Sequence, residues 1–186
     1  MRAVNAVVPA AGLSQRFGGP NKLLMPWNDM TVVGSVVRTL LRCGLQVTVV
    51  TGRNADLVAG AVAPAGTVFN PRFEEGLGTS IAAGVSKCGP SDGFLIALGD
   101  MPGLRHDVVR SLLDEFESAP LDAVFSPVYA DNPNRPGHPV LFGSSHREAL
   151  EGLTGDEGAR SILQSQRDKV RLIRVAGSLE DLDRPQ

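Results

Sequence analysis

The sequence predicts an α/β fold, a parallel-dominated sheet with helices on both faces. Three observations predict it. Apolar runs of strand length alternate with segments of helical period along almost all of the 186 residues. The runs Val4–Pro9 and Gly93–Leu98 are apolar nearly throughout, as strands covered on both faces are, and Leu45–Thr51 is a third strand-length run. The turns after these runs carry Gly12, Gly52 and Gly99, at strand ends where open α/β sheets bind ligands.

The elements follow in order. Val4–Pro9 reads as the first buried strand. Thr31–Cys43 reads as a helix, with Thr31 as cap, Val32, Val33, Val36, Val37, Leu40 and Leu41 at helical spacing, and Gly44 as the stop. Leu45–Thr51 is the second strand, Asn54–Val62 a short helix and Thr67–Asn70 a brief strand. Thr79–Lys87 reads as a helix capped by Thr79, Gly93–Leu98 as a central strand and Arg105–Ser118 as a helix. Ala123–Pro127 and His138–Phe142 read as strands, Ser145–Leu153 and Glu157–Gln166 as helices, and Val170–Val175 as the last strand. Tyr129–Pro139 holds three prolines and no core period, so it is expected as a loop beside the sheet. There are no internal repeats, and residues 1–186 are expected to form a single domain.

Composition narrows the classes of function. Hydrophobic residues make up 42% and charged residues 20%, the balance of a globular domain that needs no disulfide or metal staple. A formal net charge of −2 argues against a general nucleic-acid binder. The two cysteines, Cys43 and Cys88, lie far apart, which is neither a zinc spacing nor a disulfide framework and fits a reducing compartment. Asn5, Pro9 and Gly12 interrupt the uncharged stretch after Ala3, so it reads as a strand entering a loop and not as a leader peptide. No run approaches the roughly 20 apolar residues of a membrane span. A cytoplasmic protein is expected.

Pro9–Lys22 (PAAGLSQRFGGPNK) carries the strongest chemical signal. Small residues let consecutive backbone N–H groups approach a phosphate chain and form an anion-binding concavity. Arg16 suits bidentate contact with phosphate oxygens, and Lys22 a mobile point charge. The competing reading is a tight turn with solvated cations. The two better-known phosphate loops do not fit. Lys22 follows Asn21 and precedes Leu23, which breaks G-x-x-x-x-G-K-[ST], and Ser14 stands where G-x-G-x-x-G needs its second glycine.

AAGLSQRFGGPNKLL (Ala10–Leu24) resembles the nucleotide-binding signature of the molybdopterin nucleotidyltransferases, the MobA-like NTP transferases. The resemblance implies a three-layer α/β/α Rossmann-like nucleotidyltransferase fold with a mostly parallel mixed sheet. It also implies that Ala10, Ala11, Gly12, Leu13 and Ser14 line the nucleotide, with Arg16 and Lys22 on its phosphates. Leu98-Gly99-Asp100-Met101-Pro102 matches the family's G-D-M-P, which makes Asp100 a catalytic Mg²⁺ ligand; alternatively it forms a turn or caps the following helix. Asn70–Val85 resembles the segment that completes the nucleotide pocket, implying contacts from Gly78 and Ser80, and Thr51-Gly52 matches V-T-G on the same pocket.

Gly137-His138-Pro139 resembles the G-H-P motif on the acceptor side, with a purely structural histidine as the alternative. Gly155–Arg160 matches G-D-x-G-A-R, implying an acceptor-phosphate contact by Arg160; otherwise Asp156 caps a helix and pairs with Arg160. The tail Glu180–Pro185 resembles the family's acidic C-terminal motif, with Arg184 where threonine is common. It offers Asp183, with Asp181 in reserve, as a second metal ligand, unless it is a solvated acidic tail.

The branch most resembled is the molybdopterin cytidylyltransferases, because Ala11 stands where guanylyl relatives carry a glycine. The expectation is CMP transfer from CTP to molybdopterin with Mg²⁺ and release of pyrophosphate. Transient contact with a recipient molybdoenzyme would follow. Two alternatives stay open: another nucleotide or phosphorylated acceptor, and a non-catalytic molybdenum cofactor delivery protein.

Overall fold

β1 (Val4–Ala10) is buried at all seven positions, and a strand without a polar face belongs in the middle of a sheet covered on both sides. The computed structural model places it there and describes residues 1–12, 21–130, 135–156 and 158–176. The other main strands are β4 (Gln46–Thr51), β5 (Gly66–Phe69), β6 (Gly93–Ile96), β7 (Val124–Tyr129), β8 (Val140–Gly143) and β9 (Val170–Val175), and β2 (Pro26–Trp27) and β3 (Met30–Thr31) form a small hairpin. The helices are α1 (Val32–Arg42), α2 (Ala55–Val62), α3 (Leu77–Lys87), α4 (His106–Phe116), α5 (Arg147–Glu151) and α6 (Arg160–Ser165).

The seven-stranded sheet runs β5-β4-β1-β6-β8-β7-β9. β1 is parallel to β4 and β6, β4 to β5, and β7 to β9, while β8 is antiparallel to both neighbours. The expected mostly parallel mixed sheet is therefore what forms. Parallel return needs a crossover of a dozen or more residues. The segment between β7 and β8 carries no helix among its described residues, so β8 comes back antiparallel.

Strand alternation sorts the core into two layers. Ala6, Val8, Val47, Val49, Leu95, Phe125 and Leu141 face α1, α2 and α4. Val7, Val50, Phe94, Ile96, Val124, Val140 and Phe142 face α3 and the Leu150–Ile162 region. Burying each phenylalanine among these contributes roughly 1.5–3 kcal/mol.

The local signals acted largely as expected, with informative exceptions. Thr31 caps α1 by accepting from the Gly34 N–H at 3.1 Å. The β2–β3 hairpin was not foreseen; Asn28, at φ 52°, makes its turn. α3 starts at Leu77 after Gly76, so Thr79 is not its cap. Its hydroxyl instead lies 2.9 Å from both the Arg72 and Gly76 carbonyls. α6 starts at Arg160 because Gly158, at φ 56°, holds a left-handed turn before it. Gly158 is therefore explained by this turn, not by a place inside a helix. Among the described residues, no helix is long and apolar enough to cross a membrane.

Candidate active site

From β1 the chain builds outward through β4 and β5, then crosses back to add β6 on the other side of β1. Crossovers leaving in opposite directions open a crevice at the carboxyl ends of β1 and β6. The two strand ends are pinned there, the Gly99 N–H donating to the Pro9 carbonyl at 3.3 Å. Ala10, Ala11 and Gly12 leave β1 into this crevice, and Asp100 follows β6.

Lys22 comes back to the same point. It opens a 3₁₀ turn, Lys22–Leu24, fixed by the buried Asn21 side chain, which accepts from the Leu23 N–H at 3.1 Å. Lys22 Nζ lies 2.7 Å from Asp100 Oδ2, with the two side chains 17% and 23% exposed. Two residues 78 positions apart thus form a partly desolvated ion pair at the switch point, where electrostatics are stronger than in bulk water.

The β4 side of the crevice is braced by Asn70. Its N–H donates to the Thr51 carbonyl at 2.9 Å. Its side-chain amide donates to Thr79 and Ser80 hydroxyl oxygens at 3.0 and 3.1 Å. The buried Thr51 hydroxyl donates to the Val68 carbonyl at 3.3 Å. The Gly78 N–H donates to the Gly155 carbonyl at 2.8 Å, and Gly78 packs against the Thr154 backbone. Thr51, Gly78 and Ser80 are therefore buried, each with a polar group already bonded inside the protein.

The β8 side carries His138. Ser126 Oγ donates to the Gly137 carbonyl at 2.9 Å, the Gly137 N–H to the Pro127 carbonyl at 2.8 Å, and Tyr129 Oη to the His138 carbonyl at 2.7 Å. With its backbone pinned, His138 presents a buried Nδ1 that has no hydrogen-bond partner among the described residues. Burial pushes the imidazole below its usual pKa, while the Ile96 carbonyl and the Asp100 charge pull it up and Arg135 pushes it down. Asp100 thus pairs with Lys22 on one side and lends its charge to His138 on the other.

Arg160 opens α6. It is exposed on the α3 side of the molecule, and among the described residues it makes no ion pair with Asp156. Leu13, Ser14 and Arg16, together with Asp181 and Asp183, lie outside the described residues. Sequence reasoning did not single out Asn70 and Tyr129 as supports of the site. An asparagine directly after a strand was the available signal for the first; the second owes its place to tertiary packing. Among the described residues no group of three or more His, Cys, Asp or Glu could hold a metal. Asp100 alone suits a hard divalent cation held mainly by phosphate oxygens and water.

Fold and crevice chemistry define a nucleotidyltransferase. The chain belongs to the MobA-like NTP transferase domain family, whose sequence profile matches residues 6–170. It is 32% identical over 175 residues to the nicotine blue oxidoreductase of Paenarthrobacter nicotinovorans, covering 91% of this chain and 86% of that protein. It is 30% identical over 144 residues to the molybdenum cofactor cytidylyltransferase of Escherichia coli (strain K12), covering 76% and 70%. The crystal structure of Rv0371c from Mycobacterium tuberculosis H37Rv superposes with a TM-score of 0.82 at 28% identity, covering 97% of this chain and 93% of that one. The manganese complex of Rv0371c gives 0.79 at 26%, covering 98% and 93%.

Proposed function

We propose that the protein transfers CMP from CTP to molybdopterin with release of pyrophosphate. The observation that carries this reading is the Lys22–Asp100 pair at the switch point beside Ala11-Gly12. The relation to a molybdenum cofactor cytidylyltransferase supports the choice of donor and acceptor. The terminal phosphate oxygen of molybdopterin attacks the α-phosphorus of CTP in line. An oxygen–phosphorus bond forms as the bond to the β-phosphate breaks, and the electron pair leaves with pyrophosphate. The nucleophile is already anionic, so no general base is required.

The chain's own work is positioning and charge stabilisation. Ala10, Ala11, Gly12, Leu13 and Ser14 line the nucleotide, completed by Thr51, Gly78 and Ser80. Arg16 and Lys22 hold its phosphates. Gly137, His138 and Arg160 receive the acceptor. Asp100, with Asp183, holds Mg²⁺, which when bound supplies positive charge to the phosphates. Strand spacing of about 4.8 Å puts the β9 end roughly 14 Å from β6 along the rim. Arg105 holds the Ala176 carbonyl there at 3.2 Å. Seven further residues span at most about 23 Å, enough for Asp183 to reach Asp100. The reaction is placed in the cytoplasm.

The test offers molybdopterin, Mg²⁺ and each of the four nucleoside triphosphates to the purified protein, measuring pyrophosphate and the product mass. CTP should give pyrophosphate and molybdopterin cytosine dinucleotide. The relative named nicotine blue oxidoreductase sets the contrasting arm, redox turnover of nicotine blue with an added two-electron donor or acceptor. Turnover there, with no pyrophosphate from any nucleotide, would overturn the proposal.

A further inference from the structure

Asp100 stands on a turn that is pinned on both sides. Before it, the Gly99 N–H donates to the Pro9 carbonyl at 3.3 Å. After it, Ser35 Oγ donates to the Pro102 carbonyl at 3.1 Å, and the Leu104 N–H to the Met101 carbonyl at 3.0 Å. Lys22 is held only at its root, where its carbonyl accepts from the Met25 N–H at 3.2 Å. Its ammonium ends a flexible four-carbon stem. Of the two partners in the 2.7 Å contact, Lys22 is therefore the one that can swing away.

The charges balance only while the site is empty. One ammonium cancels one carboxylate, in a crevice partly withdrawn from water. A divalent cation arriving at Asp100 with Lys22 in place would set a double positive charge and the ammonium beside a single carboxylate. Among the described residues no cluster of three His, Cys, Asp or Glu offsets that repulsion. A triphosphate brings negative charge enough for both cations. Lys22 then moves onto phosphate oxygens and leaves Asp100 facing the metal.

We propose that Lys22 is a counter-ion lock on Asp100. In the empty site it holds the carboxylate against free divalent cations, and the arriving triphosphate draws it off, so nucleotide and metal are admitted together. The inference rests on the proposed nucleotide site and adds an order of events to it. It also reverses the usual sign of two substitutions. Removing the Lys22 charge strengthens metal binding to the bare protein, and removing the Asp100 charge strengthens nucleotide binding without metal.

The test measures Mn²⁺ affinity by electron paramagnetic resonance with no nucleotide present. It compares wild type with Lys22→Met, Lys22→Arg, Asp100→Asn and the double variant Lys22→Met/Asp100→Asn, using thermal melts to confirm folding. Lys22→Met should bind Mn²⁺ about tenfold more tightly than wild type, the scale of opening a partly exposed ion pair. Lys22→Arg keeps the charge and should stay within about twofold of wild type. The double variant should lose the gain, which places the metal at Asp100. Calorimetry of CTP in EDTA should show tighter binding to Asp100→Asn than to wild type. Unchanged Mn²⁺ affinity in a folded Lys22→Met protein, a gain that survives in the double variant, or weaker CTP binding to Asp100→Asn would overturn the inference. If no variant binds CTP, the proposed use of CTP fails, while the nucleotide-free Mn²⁺ series still decides the role of Lys22.

Discussion

Replacing Lys22 with alanine removes the cation that faces Asp100 across the crevice. The pair sits at 2.7 Å with side chains about four-fifths buried, so the surroundings are neither water nor dry interior. At an effective dielectric constant near 20, two unit charges about 4 Å apart attract by about 4 kcal/mol. Lys22 exerts an attraction of that order on a phosphate oxygen bound beside it. Only the part that grows as charge builds on the leaving pyrophosphate lowers the barrier, roughly 3 kcal/mol. The expected loss in kcat/KM is therefore about 150-fold. Lys22→Arg keeps the charge and should restore part of the rate. Folding should suffer less, by about 1 kcal/mol, because the released Asp100 carboxylate retains access to water. Pyrophosphate release over a range of CTP concentrations at fixed Mg²⁺, with urea unfolding on the same samples, measures both. Turnover within about threefold of wild type in a folded Lys22→Ala protein would refute the role given to this lysine.

Three further outcomes are expected. Arg147 donates to the Val85, Cys88 and Gly89 carbonyls at the C-terminal end of α3 and lies over the Phe94 ring at 5.4 Å. Arg147→Ala should lower unfolding free energy by roughly 2 kcal/mol in urea titrations and leave turnover unchanged, since it acts at the far end of the sheet. Gly84 lets α3 lie on the sheet: a Cβ there would come within 2.8 Å of Val50 Cγ2 and closer still to Val7. Gly84→Ala should destabilise by about 1 kcal/mol despite alanine's better helix propensity, read as a lower urea midpoint. Burial holds His138 below its ordinary value of 6.5, so below that pH the unfolded chain binds a proton that the folded chain does not. Stability should be full above about pH 6.5 and fall as pH drops toward the folded value. His138→Gln should flatten that part of the profile, and an unchanged slope would show that another group is responsible.

Much of the fold was legible in the sequence because its signals are local. The all-buried run of β1, the Thr31 cap of α1 and the proline-rich segment before β8 each constrain their own neighbourhood. The β2–β3 hairpin was not legible, since two-residue strands are too short to show a period of two. Thr79 looked like a cap because threonine prefers that place, yet Gly76 makes the turn that starts α3. At the site, the residues that end strands could be read from position alone. Lys22 and Asp100 were expected separately, while their contact follows from the return of the chain after the first turn. A Cβ on Gly52 would press on Phe73 and Ala11, so three segments meet through a glycine too crowded for a side chain. Spacing carries no trace of that, and neither does it reveal the buried His138 Nδ1, which has no partner among the described residues.

The central claim is transfer of the nucleotidyl group itself, and the fate of the α-phosphate reports it most directly. CTP labelled with ³²P at the α-position is incubated with the protein, molybdopterin and Mg²⁺, in parallel with γ-labelled CTP. The α-label should appear on the molybdopterin product, the γ-label in pyrophosphate, in equal amounts and only when the acceptor is present. Label leaving as inorganic phosphate from the γ-position, with none joined to molybdopterin from the α-position, would contradict the account.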